Sequence, residues 1–435
     1  VGRAPVGVGA EDVHRVQTEA GETGTGGESE ASPAGDGTGV GRERQPVEEA
    51  DPSRAAAVRW LDLGLAPMEP IHGYRWSPEG DRLAVDASDL YAKDRRILVV
   101  DLEAPGEVAQ IVVREQDPTN THSYYWQMEW APAGGGVYFL SDREQDFHVY
   151  RVDLERGSLT RITRGDWAVA SFTPVDDGVV IVANRGQPEQ RNLFFVSEDG
   201  GEPVKLSQRP GTHDPTVSPD GRWAAVHFSS DDTPPDLFLT ALRPEGVEEA
   251  RRERRVTDSP LPELDRYRWV TPRYVTFPSH VDGTTLHGRL TLPPDFDPSM
   301  RYPAIVGSVY TESVRNQWGG RTAHPTWGLD QFLAQEGYVL LNVDMRGSWG
   351  RGREHRRGNR LDNGGIDIED LASGVRYLET LGSVDMERVG IWGSSYGGLM
   401  TAMSLFRKPE LYAAGIAGAP ATNVRHALTG QMEVM

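Results

Sequence analysis

Two patterns of apolar and polar positions divide the chain. From about residue 55 to residue 257, short runs of β-branched and aromatic residues alternate with turns rich in Gly, Pro and Asp. This alternation predicts β-strands joined by tight turns, with no long helix. After about residue 273, apolar strand-like runs alternate with helix-like runs, which predicts a parallel sheet with helices packed on it.

The β part of the chain repeats. Four segments each contain an apolar or aromatic residue, a Ser/Ala/Thr-Pro turn, an acidic or glycine pair, and then a strand. Four-stranded units at this period are typical of a β-propeller. A propeller that encloses a substrate tunnel usually has more blades, so we expect further blades upstream of Val1. The segments are YRWSPEGDRLAV (74–85), MEWAPAGGGVYFL (128–140), ASFTPVDDGVVIV (170–182) and PTVSPDGRWAAV (215–226).

Other residues of the repeats are expected to be structural. Trp76, Trp130 and Trp223 recur at blade positions and are predicted to pack between strands. Residues 248–255, with the sequence EEARRERR, are predicted to form a solvated turn. No cofactor is expected, since metal-ligand spacing is absent from the histidines of this region, which are His122, His148, His213 and His227.

The α/β part can be read element by element. Residues 273–293 predict a hairpin with an Asp-Gly turn. Buried strands are predicted at 302–310 and 338–344, and a further strand is predicted at 412–420. Helices are predicted at 329–337 and 367–382, each ended by a glycine. In the first helix Leu329, Phe332 and Leu333 are expected to share a face, and in the second Leu371, Val375 and Leu378.

The sequence VGIWGSSYGG (389–398) carries the candidate chemistry. An apolar strand enters a Gly-x-Ser-x-Gly turn and an amphipathic run leaves it, which predicts a strand, a sharp turn and a helix. Such a turn exposes one serine, Ser395, and needs small neighbours such as Gly393 and Gly397. The helix start would also direct N–H groups at that serine. The alternative is an ordinary glycine-rich turn without catalytic function.

Composition narrows the classes of partner. The chain has 435 residues, too many for one core, and a net charge of −20. Nucleic acids and anionic membranes are therefore poor partners, and no apolar run is long enough to span a bilayer. The absence of cysteine excludes disulfides and thiolate catalysis. We expect residues 1–50 to be disordered, residues 51–262 to form propeller blades and residues 263–435 to form the α/β domain.

Four stretches together resemble the prolyl oligopeptidase family of serine peptidases, and within it the dipeptidyl peptidase IV-like branch. They are YPAIVGSVY, NVDMRGSWGRG (342–352), DIEDLASGVRYL and VGIWGSSYGG. The resemblance implies a β-propeller followed by an α/β-hydrolase domain. It implies that Ser395 attacks the scissile carbonyl, while the Tyr396 amide and the Tyr310 hydroxyl hold the oxyanion. It also implies that Arg346 braces the loop below the site.

The chain departs from the family pattern after the serine. In this fold the acid and the histidine follow the nucleophile, yet the only later histidine is His426, and the later carboxylate side chains are Glu410 and Glu433. None fits the expected order and distance. We therefore expect the acid and base to lie beyond Met435. The hydrolase domain would then be truncated, the blade set incomplete, and this fragment inactive by itself.

Few residues of the sequence indicate which substrates the site would bind. Ala421 and Val424 could line a substrate pocket, but the aromatic residues of the branch are missing there, and Glu48 and Glu49 do not match its paired-glutamate motif. The resemblance alone implies peptide substrates, release of N-terminal dipeptides, and an exported or periplasmic location, with a homodimer left open. An esterase on the same fold, or a propeller that only binds partners, are the alternatives.

Overall fold

The computed structural model describes residues 60–104, 106, 108–119, 125–243, 253–319 and 328–422. The expected disorder of residues 1–50 and the predictions for Val424, His426 and Glu433 fall outside these residues. Within the described part of the chain, no helix combines the length and the apolar character needed to cross a membrane.

Four antiparallel sheets occupy the first part of the described chain. Each contains four strands, and in each sheet the strands are neighbours in sequence order. This is the blade architecture that the repeats predict. The strands are β1 (Ile71–Trp76), β2 (Arg82–Ser88), β3 (Asp94–Asp101), β4 (Gln110–Gln116), β5 (Met128–Trp130), β6 (Gly136–Ser141), β7 (His148–Asp153), β8 (Leu159–Arg161), β9 (Val169–Val175), β10 (Gly178–Ala183), β11 (Asn192–Ser197), β12 (Val204–Lys205), β13 (Thr212–Val217), β14 (Trp223–Ser229), β15 (Asp236–Ala241) and β16 (Glu253–Arg255).

The Ser-Pro turn explains why the repeats form hairpins. Between β1 and β2 the Gly80 N–H donates to the Ser77 carbonyl at 2.9 Å, and the Ser77 hydroxyl donates to Asp81 at 2.7 Å. Gly80 has φ 81°, which a glycine adopts without steric cost. The fourth sheet repeats the arrangement, since the Gly221 N–H donates to the Ser218 carbonyl at 2.9 Å. A local turn motif therefore sets the register of these hairpins.

Two predictions for this region are wrong. Trp76 is not a packing residue, because 56% of it is exposed on β1, the first strand of the first described sheet, whereas Trp130 is buried. The turn predicted at residues 248–255 is wrong for the last three of them, because Glu253–Arg255 form β16 and pair with β15, while residues 248–252 lie outside the described residues. Ion pairs hold this edge strand, with Arg209 on Glu253 at 2.6 Å and Arg255 on Asp236.

Two histidines of the blades have structural roles, as expected. His148 is buried and bonds Thr163 at 2.9 Å and the Gly165 carbonyl at 3.0 Å. His213 is also buried and bonds the Arg191 carbonyl at 2.9 Å. Burial lowers the pKa of each imidazole to about 4, so both are neutral at pH 7.

The second part of the described chain forms one six-stranded sheet in the order β17-β18-β20-β19-β21-β22. β17 and β18 form the predicted hairpin, and β20, β19, β21 and β22 run parallel to one another. The α/β prediction is confirmed. The elements are β17 (Arg273–Pro278), β18 (Thr285–Thr291), β19 (Tyr302–Val309), α1 (Leu329–Gln335), β20 (Val339–Asp344), α2 (Arg353–Arg357), α3 (Ile366–Thr380), β21 (Val384–Ser394), α4 (Tyr396–Arg407) and β22 (Ala414–Gly418), with 3₁₀ turns at Pro262–Arg266 and Pro409–Leu411.

Helix packing agrees with the apolar pattern for one helix and not for the other. Leu371, Val375 and Leu378 of α3 are buried, as predicted. In α1 the predicted apolar face does not form as a whole, because Phe332 is 59% exposed while Leu329 and Leu333 are half-buried; Ala334 is buried.

Ion pairs connect the blades to the α/β sheet. On α2, Arg353 pairs with Asp117, and Arg357 pairs with Asp117 at 2.7 Å and Asp142 at 2.9 Å. Burial alone would raise the pKa of Asp117, but hydrogen bonds from Thr119 and Arg357 lower this pKa to about 2. Its carboxylate is therefore charged, and able to hold both arginines, throughout the neutral range.

Within the first sheet a buried ion pair links two blades. The Arg95 guanidinium is 1% exposed and donates to Asp86 at 2.6 Å, to Glu115 at 3.0 Å and to the Leu140 carbonyl at 2.6 Å. The last contact reaches β6 of the next blade. A buried charge costs several kcal/mol unless it is paired, so this arginine depends on its partners.

We predict that Asp86→Ala lowers the free energy of unfolding by about 3 kcal/mol, because it leaves Arg95 buried with Glu115 as its remaining carboxylate partner. Urea unfolding followed by tryptophan fluorescence measures the change. The control is Arg114→Ala, which removes the exposed pair with Asp94 and should have little effect. Equal effects of the two substitutions would contradict the prediction.

Candidate active site

The structure places Ser395 at the predicted strand-to-helix turn. β21 ends at Ser394 and α4 begins at Tyr396, and Ser395 between them has φ 58° and ψ −120°. This left-handed conformation is costly for a residue with a side chain and persists only where the surroundings impose it. The Ser395 N–H donates to the Gly418 carbonyl at 2.9 Å, and its carbonyl accepts the Leu399 N–H at 3.0 Å. Strand β22 and helix α4 therefore hold the turn from both sides.

Three glycines make this turn sterically feasible. A Cβ on Gly393 would lie 2.6 Å from the Gly397 carbonyl oxygen. A Cβ on Gly397 would overlap the Val309 carbonyl, and one on Gly398 would overlap the Gly418 carbonyl. Neighbouring backbone occupies the space on each side, so only glycine fits at these positions.

The Ser395 side chain is exposed, and its hydroxyl makes no hydrogen bond within the part of the chain that the structure describes. The N–H of Tyr396 belongs to the first turn of α4, where amide groups have no partner inside the helix. The positive end of the helix dipole adds to this donor. The arrangement suits a negative oxygen that develops next to Ser395.

Tyr310 lies beside this turn. It directly follows β19, which runs parallel to β21 with Val309 opposite Gly393. The rings of Tyr310 and Tyr396 meet edge to face, with their centres 6.0 Å apart. The structure thus brings together Ser395, Tyr396 and Tyr310, the three residues that the sequence predicts for the catalytic centre. Their roles in a reaction remain predictions.

The phenol of Tyr396 is an anchor. Its hydroxyl donates to Asp367 at 2.6 Å and accepts from the Asn359 amide at 3.2 Å. Burial and the Asp367 charge raise the pKa of Tyr396, and burial raises the pKa of Asp367. These contacts fix the residue whose main-chain N–H faces the site. Asp367 and Asn359 are not among the site residues that the sequence predicts, because their contacts with Tyr396 depend on how α3 and α4 pack.

Arg346 braces the loop after β20, as predicted. Its guanidinium donates to Asp370 at 2.9 Å, to Asp282 at 2.6 Å and to the Ser279 hydroxyl at 3.0 Å. The hydrogen bond from Arg346 lowers the pKa of Asp282 to about 2. The hairpin turn between β17 and β18 is thereby tied to α3.

The sequence predicts that Ala421 and Val424 line a substrate pocket. Ala421 is half-buried, and its N–H lies 3.4 Å from the Ser395 carbonyl. It is close to the turn, while its proposed partner Val424 is not among the described residues. Glu410 is exposed after the end of α4. A twelve-residue helix is about 18 Å long, so Glu410 is too far away to serve as the acid of this site.

Comparison with protein-family models gives two matches. Residues 328–433 match the prolyl oligopeptidase family, and residues 64–235 match the dipeptidyl peptidase IV N-terminal region. The first match contains the Ser395 turn and the second contains the four-stranded sheets up to β14. The order of the two matches agrees with the order of the two parts of the fold.

Comparison with individual proteins agrees with these two family matches. The chain is 30% identical to human dipeptidyl peptidase 8 over 279 residues, which is 60% of this chain and 30% of that protein. It is 27% identical to a probable dipeptidyl-aminopeptidase B of Aspergillus niger, over 80% of this chain and 38% of the relative. The crystal structure of Porphyromonas gingivalis dipeptidyl peptidase 4 superposes with a TM-score of 0.74 at 26% identity, over 86% of this chain and 52% of the other.

The alignments therefore span less than half the length of these curated relatives. Within that span, the family matches, the order of propeller blades and α/β sheet, and the glycine-lined Ser395 turn all agree. Residues 328–433 therefore match the prolyl oligopeptidase family and residues 64–235 match the dipeptidyl peptidase IV N-terminal region, and the chain is similar in sequence and fold to dipeptidyl peptidases of that family.

Proposed function

We propose that the protein is a serine peptidase that hydrolyses peptide bonds of oligopeptides and releases N-terminal dipeptides. The observation that carries this proposal is the exposed Ser395, held with φ 58° next to Tyr396, whose ring meets the ring of Tyr310 edge to face. The names of the relatives, which are dipeptidyl peptidases, support the substrate class.

In the proposed mechanism the Ser395 Oγ attacks the scissile carbonyl carbon, the C–N bond breaks, and the remainder of the peptide leaves as an amine that receives the serine proton through the base. Water then hydrolyses the resulting acyl-enzyme, which releases the dipeptide and restores the serine. The carbonyl oxygen becomes negative and accepts hydrogen bonds from the Tyr396 N–H and the Tyr310 hydroxyl. Each such donor is typically worth about 10²–10³ in kcat. Because the Tyr396 side chain is held by Asp367, its amide is positioned before substrate binds.

The mechanism also needs a base to take the serine proton and an acid to orient that base. No histidine or carboxylate bonds to Ser395 within the described ranges of the chain. We therefore place both groups outside those residues. Experiments on activity should use the chain together with any coding sequence that flanks it.

The propeller region is proposed to restrict access to Ser395. Its Asp117 and Asp142 hold α2, which lies in the segment that connects β20 to α3. Long folded substrates would be excluded and short peptides admitted. A homodimer stays a prediction.

We predict that a fluorophosphonate probe labels Ser395 alone when the chain is expressed together with any coding sequence that flanks it, because the turn exposes this hydroxyl next to the proposed oxyanion donors. Labelling is measured by mass spectrometry of the digested protein. Ser395→Ala should abolish both labelling and hydrolysis of a dipeptidyl anilide. Ser394→Ala is the matched control, since Ser394 is the last residue of β21 and should retain labelling.

Two results would contradict the peptidase proposal. Equal labelling of the wild type and Ser395→Ala would show that Ser395 is not the nucleophile. The turn has the same chemistry in esterases and peptidases, so only the choice of substrate separates the two functions. A larger kcat/KM for short-chain esters than for dipeptidyl anilides would identify an esterase instead.

We predict that Tyr310→Phe lowers kcat by about 10²–10³ and leaves KM nearly unchanged, because the lost hydroxyl stabilises the oxyanion only in the transition state. Steady-state kinetics on the anilide measure both constants. Tyr267→Phe is the control, since Tyr267 is exposed and lies outside the site. An equal fall for both variants, or a change in KM alone, would remove Tyr310 from the oxyanion site.

A further inference from the structure

The segment that follows Tyr310 has an unusual backbone. Glu312 has φ 57°, a conformation that residues other than glycine rarely adopt. Its side chain is only 15% exposed, although it carries a charge. The carboxylate accepts a hydrogen bond from the Tyr125 hydroxyl and pairs with Arg315 at 2.9 Å. Such strain persists only where the surrounding contacts impose it.

Other contacts fix the same segment from the side of the α/β sheet. The Glu312 N–H donates to the Ser348 hydroxyl at 3.1 Å, and the Val314 N–H donates to Asp344 at 3.0 Å. The Ser313 hydroxyl donates to the Tyr310 carbonyl at 2.8 Å. The main chain on the C-terminal side of Tyr310 therefore has little freedom to move.

Tyr125 comes from the propeller region, immediately before β5. Its ring lies 5.4 Å from that of Phe147 in the second sheet and 6.3 Å from that of Trp349. Trp349 belongs to the loop after β20, yet it is 3% exposed and packs in a core cluster of the propeller region. The position of Tyr125 relative to Glu312 thus depends on how the two regions dock.

We propose that Tyr125 and Glu312 are positioning residues that couple the docking of the propeller region to the placement of the Tyr310 hydroxyl. The inference rests on the proposed function, in which that hydroxyl holds the oxyanion. An oxyanion donor must lie about 2.7–3.1 Å from the developing charge. Tyr310 is two residues from Glu312, so a shift at Glu312 moves the donor. The propeller would then complete the oxyanion site as well as restrict access.

A simpler alternative is that the Tyr125–Glu312 contact only stabilises the interface. The two explanations differ in what a loss of the contact changes. A contact that only stabilises lowers the temperature of unfolding and leaves the kinetics of the folded protein unchanged. A positioning contact lowers kcat with little change in KM, because the misplaced donor acts only in the transition state.

The test uses Tyr125→Phe, which keeps the ring contacts with Phe147 and Trp349 and removes only the hydroxyl. We expect kcat on a dipeptidyl anilide to fall roughly tenfold, since small displacements of a catalytic group are costly. KM should stay within about twofold. Tyr150→Phe is the matched control, because Tyr150 also donates to a glutamate, Glu144 at 3.4 Å, inside the second sheet. The control should retain the wild-type kcat.

Hydrogen–deuterium exchange of the segment that contains Tyr310 and Glu312 gives a second readout, which does not require activity. Exchange should be faster in Tyr125→Phe than in the wild type and unchanged in Tyr150→Phe. If the wild type hydrolyses the anilide but Tyr125→Phe keeps both kcat and exchange, the inference is overturned and the proposed function stands. If no Ser395-dependent activity is found, the proposed function fails, and unchanged exchange in Tyr125→Phe would also overturn the coupling.

Discussion

The crowding of backbone around Ser395 is the constraint on which the rest of the site depends. Gly393, Gly397 and Gly398 each face a neighbouring main chain at a distance that no side chain allows. That close approach lets β19, β21 and β22 meet α4 at one point. It also places the carboxyl end of β19, and therefore Tyr310, beside the serine. The strain at Ser395 is offset by the packing of the sheet, whose core cluster includes Val309, Ile391 and Met400.

In the proposed mechanism the site divides its tasks between main chain and side chain. A backbone amide cannot be displaced without moving the helix that contains it, so the Tyr396 N–H is a donor in a fixed position. Its side chain, bonded to Asp367 and Asn359, holds the start of α4 against α3. The Tyr310 hydroxyl is a side-chain donor, so its position depends on how firmly the surrounding loop is held. Under the proposed function, the contacts of the loop after Tyr310 would keep that donor in place.

Much of the fold could be predicted from the sequence, because it depends on local patterns. The Ser-Pro turns predict the hairpins, the alternation of strands and helices predicts the parallel sheet, and the glycine spacing predicts the Ser395 turn. The failures have a different cause. Trp76 and Phe332 are apolar residues whose burial depends on whether another element covers them, and the local pattern does not contain that information. Residues 253–255 pair as a strand because Asp236 and Arg209 provide distant partners.

The contacts that position the site were harder to predict, for the same reason. Asp367 looks like an ordinary acidic residue at a helix start, and only the approach of α4 to α3 shows that it binds Tyr396. Glu312 and Tyr125 lie 187 positions apart in the chain, so no spacing rule relates them. A sequence motif records which groups react, because their chemistry restricts the residue types. The groups that hold them can be any pair of suitable polarity, and their identity follows from the packing of elements that are distant in sequence.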